Sequence, residues 1–356
     1  MKKTLIASAI AAISFSGAAA AQATMSASEM AAKMDSMPQV YGNIQLAVVY
    51  DDIKDGPNSI DHADNGSTIG VKHDHMIAPG LTGFFKAELE FEADDKATST
   101  GLDDFDEAYI GVKGDSFGQV WIGSDDSIYE RAVDEISNFW EVATLNLSGS
   151  KGGYTTGEGD LVQYMTPSFG GLTLGGAVQV NGDSDDSDDN DKSYPYQLSA
   201  VYSVDALELA FAMDSNDGST GYSSNEPDVV KNNENTYGVR ASYDLDNLRV
   251  TGQVQTRKDY ADTYGLMGVY TLGQNQFALS YEVRNLDGAA KDRADGEDTT
   301  DTISIQALRN VSDNLYVYVE GYIGGGDDVY EYTDSNDLDA VSNERTVAAV
   351  GATYYF

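Results

Sequence analysis

"AYIGVKGDSFGQVWIGS", Ala108 to Ser124, admits two readings that exclude each other. Its middle, Gly114-Asp115-Ser116-Phe117-Gly118, has the G-x-S-x-G form of a hydrolase nucleophile elbow, which needs a strand before the serine and a helix after it. The same five residues also suit a tight turn, with glycine at both ends to supply turn geometry. The flanks decide between them. "AYIGVKG" is a strand, and in "QVWIGSDD" Val120 and Ile122 alternate with Gln119 and Trp121, so a second strand follows. The stretch reads as a short hairpin and Ser116 as a turn residue.

Period two then extends through the chain from Val40. In "VYGNIQLAVVY", Val40, Ile44, Leu46, Val48 and Tyr50 share one face, and Tyr41, Asn43, Gln45 and Ala47 the other. "FFKAELEFE" sets Phe85, Ala87, Leu89 and Phe91 against Lys86, Glu88, Glu90 and Glu92. "TYGVRASYDL", "LRVTGQVQTR" and "NLYVYVEGYI" alternate in the same way. Such alternation predicts strands with one apolar face. Sixteen segments are predicted, starting near Val40, Ser67, Leu81, Phe105, Gln119, Leu161, Leu172, Tyr194, Leu207, Thr236, Leu248, Tyr264, Gln276, Thr302, Leu315 and Arg345. Seven connections are short ("APGLT", "GDSFG", "PSFGG", "DA", "DLDN", "LGQN", "VSDN") and seven are long and acidic, at 51–65, 94–103, 125–159, 183–192, 215–234, 285–300 and 325–344. Short turns at one end and long loops at the other make an up-and-down antiparallel meander, and an even strand count lets it close without edges.

The polar face carries bulky charges, among them Lys86, Glu88, Glu90, Glu107, Arg240, Arg249, Arg257, Glu282, Arg284 and Glu320. A sixteen-stranded barrel is too wide for side chains to fill, so an apolar lumen could not be packed. The consistent arrangement is lipid outside and water inside, an all-β transmembrane barrel with Tyr and Phe near strand ends as interfacial girdles.

Ahead of this region, Lys2 and Lys3 precede an apolar stretch to Gly17 and small-x-small sites at Ala19–Ala21 and Ala21–Ala23. This is the pattern of a signal peptide over residues 1–23, with cleavage favoured after Ala23 and second after Ala21. Residues 24–38 hold a capping box, Ser26-Ala27-Ser28-Glu29, then Met30, Met34 and Met37 at helical spacing before Pro38. They read as a short helix, either a terminal helix or a plug or subunit contact. The barrel occupies 39–356.

There is no cysteine, which excludes disulfides, thiolate metal sites and a cysteine nucleophile. Without Lys2 and Lys3, 19 basic residues stand against 59 acidic ones, a balance of −40. Nucleic acid is a poor partner for such a surface and cations are good ones. Halophilic solvation is another reading of the acid excess.

In order and spacing, five stretches resemble the Gram-negative general diffusion porins: "VYGNIQLAVVY", "STIGVKHDHMIAPGLTGFFKAELEFE", "AYIGVKGDSFGQVWIGS", "DLVQYMTPSFGGLTLGG" and the C-terminal "GATYYF". The resemblance implies a homotrimer of sixteen-stranded barrels in the outer membrane, in contact with lipid and lipopolysaccharide, passing small hydrophilic solutes without a cofactor. It implies that Phe356, with Tyr354 on its face, is the signal read by the barrel-assembly machinery. It also implies a third long loop, here about 125–159, folded inward to narrow the pore. That loop is rich in acid: Asp125, Asp126, Glu130, Asp134 and Glu135, with Arg131 its lone base in that stretch. By analogy a basic wall faces it. Arg240, Arg249, Arg257 and Arg284 share the polar face of neighbouring strands and are the candidates. Opposed charge across a narrow aqueous gap would order passing solutes. Glu88, Glu90, Glu92 and Glu107 are candidate acidic wall positions. Where the family often has Arg after the glycine that ends the strand before this loop, Gly123 is followed by Ser124, Asp125 and Asp126. That departure, with the acid excess, predicts cation preference.

Other chemistry is weaker. His73-Asp74-His75 lies in a short turn with no third metal ligand in sequence. In "GDSDDSDDNDKS" an EF-hand starting at Asp183 would need Gly at 188 and Glu at 194, where Asp188 and Tyr194 stand. An outer-membrane hydrolase and a structural or surface-binding barrel with a plugged lumen are the competing functional classes.

Overall fold

The computed structural model describes residues 37–94, 105–142, 153–180, 194–216, 234–293, 298–327, 330–332 and 340–356. The signal peptide, nearly all of the 24–38 helical segment and the loop stretches 94–103 and 183–192 lie wholly or almost wholly outside these residues.

Alternating sequence becomes alternating placement. The strands are β1 (Gln39–Ile53), β2 (Asn58–Asp64), β3 (Thr68–Ala78), β4 (Leu81–Glu90), β5 (Phe105–Gly114), β6 (Gly118–Ser124), β7 (Leu161–Met165), β8 (Leu172–Gln179), β9 (Tyr196–Val204) and β10 (Leu207–Asp214). They continue as β11 (Thr236–Leu245), β12 (Leu248–Arg257), β13 (Ala261–Leu272), β14 (Asn275–Leu286), β15 (Thr299–Ser312), β16 (Leu315–Gly326), β17 (Tyr330–Tyr332), β18 (Ala340–Ser342) and β19 (Arg345–Tyr355). Two short helices, α1 (Ile128–Val133) and α2 (Gly288–Arg293), sit in connections. β2 and β3 are two halves of one wall strand. Both pair with β1, and Asp64 Oδ1 accepts from the Gly66 and Ser67 N–H groups in the break between them. The wall therefore has sixteen antiparallel strands, each paired with its neighbours in chain order from β1 to β16. β19 pairs with both β16 and β1, from Asn43↔Tyr355 to Ile53↔Arg345, and this closes the barrel. Phe356 completes the seam by exchanging backbone hydrogen bonds with Gly42.

The barrel is inside-out relative to a soluble protein. Gln163, Gln197, Thr236, Arg240, Gln253 and Glu320 are buried, while Val239, Leu266, Leu279, Ile305 and Val350 are exposed. Only lipid on the outside makes that distribution stable. The outward tyrosines fall at two heights. Tyr196, Tyr237, Tyr264 and Tyr281 lie toward the long-loop end, and Tyr202, Tyr243, Tyr270 and Tyr354 toward the short-turn end. In β9, β11 and β13 the two are six residues apart, about 20 Å of strand at roughly 3.3 Å per residue, which fits two headgroup girdles.

Two expectations are corrected at the long-loop end. Residues 51–65 are not a loop: β1 runs on to Ile53, turns through Asp55 (φ 62°) and Gly56, and pairs with β2. The acidic composition concealed this hairpin because its side chains project into water. Within 325–344, β17 and β18 likewise pair as a hairpin. The β12–β13 connection on this side is a three-residue turn, Lys258–Tyr260, so two links there are tight. His73 and His75 are also not in a turn. They lie inside β3, paired with Phe85 and Gly83.

Candidate pore constriction

The connection after β6 is the longest, and it goes inward. Ser127 caps α1, its hydroxyl accepting from the Glu130 N–H at 3.2 Å. The helix then packs beneath β8 to β11. Its apolar residues, Ile128, Tyr129, Ala132 and Val133, are all buried. Lumen-facing glycines make room for the loop: a Cβ on Gly238 would stand 2.5 Å from Tyr129 Oη, and one on Gly265 2.8 Å from Ile136 Cδ1. Glutamines of the wall grip the loop backbone. Gln197 accepts from the Tyr129 N–H at 2.9 Å, Gln253 accepts from the Ile136 N–H at 3.2 Å, and the Tyr129 hydroxyl donates to Gln255 at 2.9 Å. Farther along, Ile136, Trp140 and Val142 pack on Met267, Tyr318, Tyr322, Val347 and Ala349. The lumen wall is thus locally apolar where the loop docks, which alternation alone did not show.

The predicted acids divide into three groups. Glu135 meets the wall directly. Arg249 donates to it from Nε and Nη2 at 2.8 and 2.9 Å, Thr251 donates at 2.6 Å, and Arg240 forms an ion pair with it. Burial alone would raise this carboxyl. The Arg249 and Thr251 bonds and the two guanidinium charges reverse the shift and hold it down to about 2. Asp125 and Asp134 are buried and turned into protein. Trp121 Nε1 donates to Asp125 at 2.6 Å, and Arg131 pairs with it. Burial raises the Asp125 carboxyl against the opposing pull of Arg131 and Trp121. Asp134 accepts from Ser137, Tyr154, Gln253 and Gln255. Asp126 and Glu130 are the acids on the open side, Asp126 lying 3.8 Å from Arg131 and Glu130 accepting from Asn138 at 3.0 Å.

The predicted bases divide too. Arg240 and Arg249 face the loop, but they close on Glu135 instead of confronting it across water. Glu208 lies 2.7 Å from Arg240 Nη2, and Asp244 lies 3.0 Å from Arg249. Arg257 and Arg284 do not face the acids. Arg257 donates to the Gly153 carbonyl at 2.7 Å, where the loop returns, and both guanidinium groups lie over the Tyr260 ring at 5.1 and 5.2 Å.

The basic side of the open lumen is elsewhere. Lys72, Lys86 and Lys113, from β3, β4 and β5, line one cavity of about 420 Å³ with Arg131 and Asp125 of the loop. Lys72 and Lys86 are direct cross-strand partners. Lys72 Nζ sits 4.6 Å from the Tyr41 ring centre, and Lys113 5.3 Å from that of Phe84. The available signal was parity: each lysine occupies the polar face of its strand. Glu88 and Glu107 flank Lys86 on this wall, at 3.7 Å and in a close ion pair respectively. Glu90 ends β4 at the exposed rim, and Glu92 lies past the strand, so it is not a wall position.

Glu320 of β16, among the wall charges noted above, acts here as an anchor. Its buried carboxylate accepts from the Glu141 and Val142 N–H groups at 3.0 and 3.2 Å, from Gln306 at 2.8 Å and from Tyr322 at 2.6 Å. Beside it, Glu141 accepts from the Tyr316 hydroxyl at 2.6 Å. Burial raises the Glu141 carboxyl to about 7. The Tyr316 bond opposes the shift, and the Glu320 charge adds to it.

A closed barrel, polar within, apolar without and narrowed by its own loop, defines a membrane channel. Residues 7–328 match the family model described as Gram-negative porin. A monosaccharide porin from Halomonas sp. is 31% identical over 385 residues, covering 100% of both chains. Among solved structures, the anion-selective porin from Comamonas acidovorans superposes with TM-score 0.67 at 16% identity, covering 90% of this chain and 99% of that one. The trimer form of OmpT from Vibrio cholerae gives 0.58 at 14%, covering 90% and 99%. At these identities the structural likeness carries the fold alone. The chain belongs to the Gram-negative porin family. It is an outer-membrane channel for the diffusion of solutes, and not an enzyme.

Proposed function

We propose that this channel is a passive, general route for small hydrophilic solutes, of the size of a monosaccharide, and that it prefers cations. The relative named a monosaccharide porin supports the solute size. One observation carries the charge preference: in the ion-paired clusters around Arg240 and Arg249, around Lys86 and around Arg131, carboxylates outnumber the bases. Arg240 and Arg249 share Glu135, Glu208 and Asp244. Lys86 lies between Glu88 and Glu107, Arg131 between Asp125 and Asp126, and Lys113 beside Asp74. The field left over at close range is negative. A reversal potential measured across a tenfold KCl gradient tests this. A potential of the sign for K⁺ preference is expected, and a Cl⁻-preferring sign would sink it.

The assignment of Asp126, Glu130 and Glu135 as the loop side of the constriction belongs to the same reading. So does export through cleavage near Ala23, with the barrel-assembly machinery reading Tyr354 and Phe356. Assembly as a homotrimer embedded in lipid and lipopolysaccharide belongs to it as well; the trimer form of the similarly folded OmpT is consistent with the homotrimer.

A further inference from the structure

A groove of about 540 Å³ opens on the outward face of β13 to β16. Gly268, Ala307 and Gly321 form its floor, with Phe277 and Ile305 at its sides. Phe277 pairs with Ala307, and Ile305 with Gly321, in two successive outward rows. On β13 the groove lies between the girdle residues Tyr264 and Tyr270, so it faces the membrane interior. The fold does not require the two glycines. Neither has a left-handed backbone. Within 4 Å a Cβ on Gly268 would meet only Leu248 Cδ1, at 3.9 Å, and one on Gly321 would first meet Ile305 Cγ2, at 3.4 Å, which are ordinary contact distances. Glycine inside a strand weakens it, and it recurs where a ligand comes close to the backbone.

The next outward row toward the short-turn end is polar. There Arg309 of β15 pairs with Asn275 of β14. Arg309 is exposed, and among the described residues of the wall strands it is the only lysine or arginine at an outward position. It stands two residues past Ala307, about 7 Å of strand at roughly 3.3 Å per residue. Arg309 is three residues from the end of β15, and Tyr270, at the rim of the groove, is two from the end of β13. Base and girdle tyrosine therefore share the headgroup level. Asn275 orients the guanidinium: it accepts from Arg309 Nη1 at 3.0 Å, while its own Nδ2 donates to the Leu272 carbonyl at 3.2 Å. The other N–H groups of Arg309 have no hydrogen-bond partner among the described residues. A guanidinium matches a phosphate with two parallel N–H bonds. A charge on the lipid face costs least at the interface, where Arg309 stands.

We propose that this groove and Arg309 form a binding site for a phospholipid of the leaflet at the short-turn end, with an acyl chain in the groove and an anionic headgroup on Arg309. The inference rests on the lipid-embedded reading and adds a defined site to it. A bilayer lipid is the fitting occupant because the groove opens toward the membrane, has an apolar floor and sides, and ends at a lone base at headgroup level. Both ends are needed. The groove without the base would take any acyl chain, and the base without the groove would take any anionic headgroup.

The full chain is inserted into nanodiscs holding equal amounts of palmitoyl-oleoyl phosphatidylglycerol and palmitoyl-oleoyl phosphatidylcholine, and the lipids that stay with the released barrel are counted by native mass spectrometry. The wild type is expected to retain phosphatidylglycerol about fivefold over phosphatidylcholine. Arg309→Gln is expected to remove that preference while both lipids are still retained. Gly268→Leu/Ala307→Leu is expected to lose most of the retained lipid of both kinds, with single-channel conductance unchanged, since both positions face away from the lumen. Equal retention of the two lipids by the wild type, or an unchanged preference in Arg309→Gln, overturns the headgroup contact. Retention that survives Gly268→Leu/Ala307→Leu overturns the groove. A barrel that enters no nanodisc removes the lipid-embedded reading itself, a result distinct from either of the others.

Discussion

Gly118 turns the chain with φ 82°, and a Cβ there would stand 2.0 Å from the Met165 carbonyl oxygen. Gly118→Ala therefore combines a left-handed backbone with a clash against β7, and unfolding in urea should show a loss of at least about 1–2 kcal/mol. Ser116 lies two residues earlier in the same turn, between β5 and β6, with no helix after it. Ser116→Ala should change stability by less than about 0.5 kcal/mol and leave conductance unaltered. Loss of transport in that variant would mean that the serine has a role this geometry does not provide. The residue scale is also where the sequence was least informative about the pore. Parity placed Lys72, Lys86 and Lys113 on the polar face, but their shared cavity depends on the registers of β3, β4 and β5. Asp125 and Asp134 looked like channel acids because composition cannot say which way a loop carboxylate turns. Trp121, four residues before Asp125, and Gln253, 119 residues after Asp134, turn them inward.

At the scale of elements, the inward loop is held by two carboxylates with opposite pH responses. Glu135 is held near 2, below a free carboxyl's value of about 4.3. Its clamp is fully present above that value and is lost only as pH falls through about 2, and it contributes on the order of 3 kcal/mol. Glu141 is raised to about 7, so the neutral form suits its buried site. Its contribution is present in acid and lost as pH rises through about 7. Open-channel current noise should accordingly grow as pH rises from about 4.3 to about 7 and level off above it. Glu141→Gln should abolish the rise, and noise growing toward pH 4 instead would reverse the assignment. The starts of the sixteen predicted strands were legible to within three residues, because lipid on one side and water on the other enforce a period of two. The β1–β2 hairpin was not, because the acidic stretch Asp51 to Asp64 shows no continuous apolar face. The loop's course was foreseen only through family resemblance. Its apolar anchors, Ile136, Trp140 and Val142, have no period that would show which wall they meet.

Across the whole molecule, buried polar side chains and exposed apolar ones are explained by a single arrangement, a water-filled lumen within lipid. The loop occupies part of that lumen and is held at one wall by Glu135 and at another by Glu320, beside its glutamine and apolar contacts. Losing both would take Glu135 from Arg240 and Arg249, which keep Glu208 and Asp244, and the carboxylate acceptor from the Glu141 and Val142 N–H groups, at about 1.5–3 kcal/mol for each charge-assisted bond. Single-channel recording in a planar bilayer, comparing the wild type with Glu135→Ala/Glu320→Ala, tests this most directly. Discrete, ohmic current steps are predicted for the wild type, with larger and noisier steps in the variant as the loop leaves the wall. A wild type that conducts nothing, or a variant with the same conductance and noise, would contradict a channel whose width is set by this loop.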